Sequence, residues 1–115
     1  MIQLILSMLI TLYFSPIKEK HPDCTCIDCW PASMAYVHLK DAEVAGPQTL
    51  DFKKTKVKRL TSEKIGDDLY RQIHLVTFKE KNGGTIDVIT VSDASFEECS
   101  MSGVEVYVVS KKLGP

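Results

Sequence analysis

Leu69 to Ser92 carries the signal that most restricts what this chain can fold into. Leu69–Lys79 and Thr85–Ser92 are two runs dense in β-branched and aromatic residues, separated by Asn82-Gly83-Gly84. Asn-Gly between such runs is a strong hairpin signal, because both residues tolerate the positive φ that a tight turn demands. Side chains alternate across a strand. Ile73 and Leu75 therefore face one way, and Val76 and Phe78 the other. On the return, Ile86 and Val88 alternate with Asp87 and Ile89. Apolar residues on both faces put this pair in the middle of an antiparallel sheet.

Flanking segments supply the neighbours. Leu50–Leu60 reads as a strand before the hairpin, Ser62–Asp68 as the turn after it, and Val104–Ser110 as the last strand. Pro31–Ala45 reads as a helix. Proline suits a first helical position, Gly46 a stop, and Pro47 forbids continuation. Ala32, Ala35, Tyr36, Leu39 and Ala42 recur at helical spacing and form its apolar stripe. The expected fold is α+β: one helix packed on a four-stranded antiparallel meander, which buries one face of each. The element order over Pro31–Leu113 is similar to that of the cystatin-like and NTF2-like groups of folds. The likeness is one of order alone. Cystatin-type inhibitors carry a Gln-Val-Val-Ala-Gly turn between strands, whereas here Val44-Ala45-Gly46 ends the helix, so protease inhibition is not implied.

At 115 residues the chain has room for one domain with a real core. Residues 1–17 precede it, residues 18–30 form a cysteine-rich segment, and residues 31–115 are the α+β domain. Ile2–Ile17 contains no charged side chain, and Leu4–Phe14 is almost wholly apolar. That length matches the core of a secretory signal better than a membrane span. Its ends do not match a signal. No Lys or Arg precedes the apolar run, and cleavage after Ser15 would set Tyr13 at −3 and Pro16 at +1. Residues 1–17 are thus a signal peptide or a short uncleaved anchor. A third reading is a first strand or helix of the domain, since Gln3, Ser7 and Thr11 line one helical face.

Cys24, Cys26 and Cys29 cluster behind this segment, and the fourth cysteine is Cys99. An even count after an export-like start suggests disulfides. A Cys24–Cys26 bond would close a very small ring. Two pairings remain: Cys24–Cys29 with Cys26–Cys99, or Cys26–Cys29 with Cys24–Cys99. Each includes one bridge across about seventy residues, a constraint on the order of 4 kcal/mol. The rival is a zinc site built from His21, Cys24, Cys26 and Cys29, or with Cys99 in place of His21, a soft tetrahedral set whose single tight cluster departs from the usual two separated pairs. Redox chemistry at Cys26-Ile27-Asp28-Cys29 lacks the strand–helix setting that lowers a thiol pKa.

Lys54, Lys56 and Lys58 fall on one side of the first strand, with Thr55, Val57 and Arg59 on the other. A lysine row guards an edge strand against pairing. It can also serve as a basic strip for an acidic partner, and these three are the candidate partner-binding residues. Fourteen basic against fifteen acidic side chains leave a net charge of −1, which argues against a dedicated nucleic-acid binder. No phosphate loop, nucleophile elbow or paired-histidine motif is present. His38 has no evident acidic or nucleophilic neighbour, and Asp87, Asp93, Glu97 and Glu98 are the nearest approach to a carboxylate cluster. The expected function is therefore an exported interaction module, inhibitor- or immunity-type and non-catalytic, that binds a protein partner through its sheet or edge. The alternative is a ligand or metal carrier using the helix–sheet cavity or the cysteine cluster. The expected location is secreted or periplasmic, or membrane-anchored if residues 1–17 stay attached.

Overall fold

The computed structural model describes residues 19–109. The readings of residues 1–17 lie outside them. One helix, α1 (Trp30–Asp41), precedes β1 (Leu50–Gly66), β2 (Leu69–Glu80), β3 (Thr85–Ala94) and β4 (Glu105–Val109). The strands form one antiparallel sheet in the order β1-β2-β3-β4. The α+β expectation of one helix and four antiparallel strands holds, with the β2–β3 hairpin at the centre. No helix among the described residues is long and apolar enough to cross a membrane.

The central hairpin pairs without a break from Tyr70↔Ala94 to Lys79↔Thr85. Gly83 takes φ 99° in its turn, where an L side chain would be strained. β1 is less regular, with register shifts between Asp51 and Lys56, Arg59 and Thr61, and Lys64 and Gly66. It also runs on to Gly66, so residues 62–66 are strand and not turn. The reversal shrinks to Asp67-Asp68, with Asp68 at φ 46°. Polar residues can extend a strand here because Glu63, Lys64 and Gly66 keep their side chains or backbone at the surface while they pair with Arg71, Tyr70 and Leu69.

The helix stops at Asp41, short of the expected Ala45, and Ala42 is exposed. The reason lies in its C-terminal hydrogen bonds. Val44 N–H donates to the Leu39 carbonyl at 2.9 Å and Glu43 N–H to the Lys40 carbonyl at 3.0 Å. This is the Schellman pattern, with Glu43 at φ 58° where glycine usually sits. Glu43→Gly is expected to stabilise the fold by about 0.5–1 kcal/mol, since a non-glycine residue is disfavoured in that region. The check is a higher urea midpoint at unchanged slope; a midpoint equal to or below the parent's would refute it.

The two halves of the inner sheet face differ in chemistry. Under α1 lies a row of valines contributed by all four strands: Val57, Val76, Val88 and Val108. Ala32, Ala35 and Leu39 pack on the first three with Leu50 and Phe78, while Val108 at the sheet edge is 45% exposed. Small residues on the helix let it approach closely. Tyr36 meets Phe52 edge-on at 5.0 Å and Phe52 reaches Phe78. Beyond the helix the same face turns polar, with Ser62, Gln72 and Ser92 in one row and Arg59, His74 and Thr90 in another. Residues 19–26 cross that half as a strap.

Candidate interaction surface

The strap is held covalently and by hydrogen bonds. Cys24 is fully buried and joined to Cys99, with Cα atoms 5.8 Å apart, and Cys26 is joined to Cys29, with Cα atoms 4.9 Å apart. A turn closed by Cys29 N–H to the Cys26 carbonyl brings the second pair together. The Pro22 carbonyl accepts from Gln72 Nε2 at 2.9 Å and from Arg59 Nη1 at 3.0 Å. His21 Nδ1 and Ser62 Oγ are hydrogen-bonded at 2.6 Å, and its ring meets Tyr70 edge-on at 4.9 Å. Thr25 donates to the Asp23 carboxylate from its hydroxyl and its N–H, which holds the Asp23 pKa below the usual value. Trp30 Nε1 donates to the Ser102 carbonyl, so the post-β3 loop is tied to the start of α1 as well. Disulfides persist in oxidising compartments, and these two suggest an extracytoplasmic environment.

Beneath the strap, Gln72, His74 and Thr90 are wholly buried. Among the described residues neither ring nitrogen of His74 finds a partner, nor does Thr90 Oγ1 or Gln72 Oε1. Burial, reinforced by the Arg59 guanidinium and opposed by Asp23, pushes the His74 imidazole down to about 4. Its role is therefore that of a neutral ring at pH 7. The hairpin pattern concealed this layer, because Gln72 and His74 alternate with apolar residues as solvent-facing positions would. The available signal was their phase: both share a face with Val76 and Phe78.

The opposite face of the sheet carries no packed element among the described residues. Its rows read Lys58, Leu75, Ile89, Tyr107 and Thr61, Ile73, Val91, Glu105 across the four strands. Ile73, Leu75, Ile89 and Val91 form a partly shielded apolar block, while Tyr107 and Val109 are 55% and 45% exposed. Polar pairs frame it. Arg71 holds Asp93 through two hydrogen bonds, Thr77 donates to Asp87, and the Tyr107 hydroxyl donates to Glu105. The Arg71–Asp93 end borders an open hollow of 570 Å³ between β3 and the following loop.

Lys54, Lys56 and Lys58 are exposed on β1, an edge strand, and Lys54 lies 3.7 Å from the Asp51 carboxylate. Lys56 and Lys58 share the uncovered face with Leu75; the register shift separates Lys54 from that row. The acidic residues are dispersed. Asp87 and Asp93 sit in separate polar pairs, and Glu98 accepts from Ser100. Ser95 Oγ accepts from the N–H groups of Glu97 and Glu98, and Ser95 N–H in turn donates to the Glu98 carbonyl at 2.8 Å, which closes a local turn. His38 is exposed in the last turn of α1. Sulfurs joined in disulfides have no thiolate to offer a zinc ion, so the set His21, Cys24, Cys26 and Cys29 could serve a metal only in the reduced chain. The chain matches no family model, no curated protein and no solved structure.

Proposed function

We propose that this chain is a small exported interaction module that binds a protein partner and performs no catalysis. Its contact surface is the uncovered sheet face together with the lysine-bearing β1 edge. One observation carries the reading: an apolar block of four aliphatic side chains lies open on a rigid, disulfide-braced sheet, with Lys56 and Lys58 along its border. Apolar centres with a polar rim are what protein partners dock on, and the lysines favour a partner that is acidic beside its own apolar patch. The space under Tyr36 and Leu39, where a carrier would hold its cargo, is occupied by Phe52, Phe78 and Leu50. No cofactor enters this reading. The likeness to cystatin-like and NTF2-like folds is one of element order and adds no residue to it. Secretion or periplasmic residence follows as part of the same proposal, with anchoring through residues 1–17 as its variant.

The test is capture on the immobilised, oxidised chain from extracytoplasmic protein extracts. Leu75→Lys and the triple change of Lys54, Lys56 and Lys58 to Ser serve as comparisons. A specific protein retained by the parent and held at least about tenfold more weakly by both variants is the expected result. Equal retention by all three, or none by the parent, would sink the reading. The triple lysine variant itself should melt within about 1 kcal/mol of the parent, as exposed side chains do. A variant that fails to fold would show that the row is not a solvated edge.

A further inference from the structure

The two edges of the sheet are built differently. β1 carries Lys53, Lys54, Lys56, Lys58, Arg59 and Lys64, and its register is broken three times. Both features stop an edge strand from pairing. β4 has neither. It pairs with β3 in unbroken register from Glu105 to Val109 and bears one charge, Glu105. Val108 and Val109 are each 45% exposed. Beside it, between α1 and β4, runs a groove of 350 Å³ lined mainly by Leu39, Ala42, Val44, Val104, Val106 and Val108. Val44 on its rim is 51% exposed. Among the described residues nothing covers this edge or groove.

We infer that β4 is the seam of a two-fold homodimer, in which β4 of a second copy adds antiparallel to the sheet. The pairing that uses all five residues centres on Tyr107. Val106 then faces Val108 of the second copy, Glu105 faces its Val109, and the two Tyr107 rings lie side by side on the uncovered face. No like charges oppose each other. Two β1 edges in the same arrangement would set lysines against lysines. The two apolar grooves meet across the axis and cover each other's valines. A self-complementary contact of this kind closes at two copies. The lysine-guarded β1 strands become the outer edges of the eight-stranded sheet and end its growth. The inference is independent of the partner reading, since the seam lies on the opposite edge from the lysine row.

Sedimentation of the full chain with its disulfides intact, at about 100 µM, tests it, because a short seam is expected to associate weakly. The expected mass is twice that of one chain. Val108→Lys, at an exposed position, should return the mass to that of one chain without lowering the melting temperature. Under mild oxidation Tyr107→Cys should yield a covalent dimer on a non-reducing gel, and Lys58→Cys on the other edge should not. A parent of single-chain mass would overturn the inference. So would a dimer that Val108→Lys leaves intact. Should Val108→Lys fail to fold, the cross-link decides. Association through residues 1–17 would give a dimer that Tyr107→Cys does not link more than Lys58→Cys does, and the β4 seam would then be wrong.

Discussion

Removing the Cys24–Cys99 bridge by Cys24→Ala with Cys99→Ala is expected to lower the melting temperature by roughly 18–36 °C. The bond joins positions separated by 75 residues. Restricting an unfolded loop of that length is worth about 4.5 kcal/mol in the chain-entropy description, and a domain of this size loses about 4–8 °C per kcal/mol. The structure adds a second cost. Cys24 is fully buried, and the strap it fastens roofs Gln72, His74 and Thr90. With the strap loosened, water would reach polar groups whose neighbours are arranged for burial. Cys26→Ala with Cys29→Ala is the control. It opens a bridge across a separation of 3 residues, so the same description predicts a loss of about 2 kcal/mol. Thermal unfolding of both oxidised variants measures the difference. Equal melting temperatures for the two would mean that the long bridge does not brace the domain.

Stability should fall by about 3 kcal/mol as pH drops from 7 to 4, through His74 alone. The folded imidazole takes its proton near 4, whereas the unfolded one takes it near the ordinary value of 6.5. Between those values the unfolded chain binds the extra proton and the folded chain does not. Stability therefore rises with pH across that window, is fully present above 6.5, and flattens below 4. Arg59 and Asp23 act on the ring in opposite senses, and burial outweighs both. Carboxylates also titrate at the acid end, so the measurement is a difference. His74→Leu should remove this slope while keeping the remainder, and its melting temperature should exceed the parent's at pH 4.5. The substitution also eliminates two ring nitrogens with no partner among the described residues, which favours an apolar replacement. Parallel pH dependences for parent and variant would show that His74 is not the group responsible.

Much of the sheet was legible because strands obey a short-range rule. The β2–β3 hairpin follows from Asn82-Gly83 between alternating runs, and its place at the centre follows from apolar residues on both of its faces. Residues whose role depends on a distant neighbour were less visible. The reading of Ser62–Asp68 as a turn treated polarity as a loop signal, although a hairpin end beyond the core can be polar and still paired. Gly46 reads as the helix stop, yet a Schellman turn at Glu43 ends the helix four residues before Ala45. The burial of Gln72 and His74 left no mark in the local pattern, because it depends on a strap that comes from some fifty residues away.

Local sequence alone determined the element types and their order, because turn chemistry and side-chain alternation act over a few residues, and it narrowed the disulfides to two patterns. Three-dimensional packing decided the rest. It selected Cys24 as the partner of Cys99: Cys24 is buried with its Cα 5.8 Å from that of Cys99, while the exposed Cys26 is brought to Cys29 by a local turn. It also divided the inner face into an apolar half beneath the helix and a polar half beneath the strap, and left the outer face open. Which face of a strand is covered depends on where another segment comes to lie, and alternation along the strand carries no information about that.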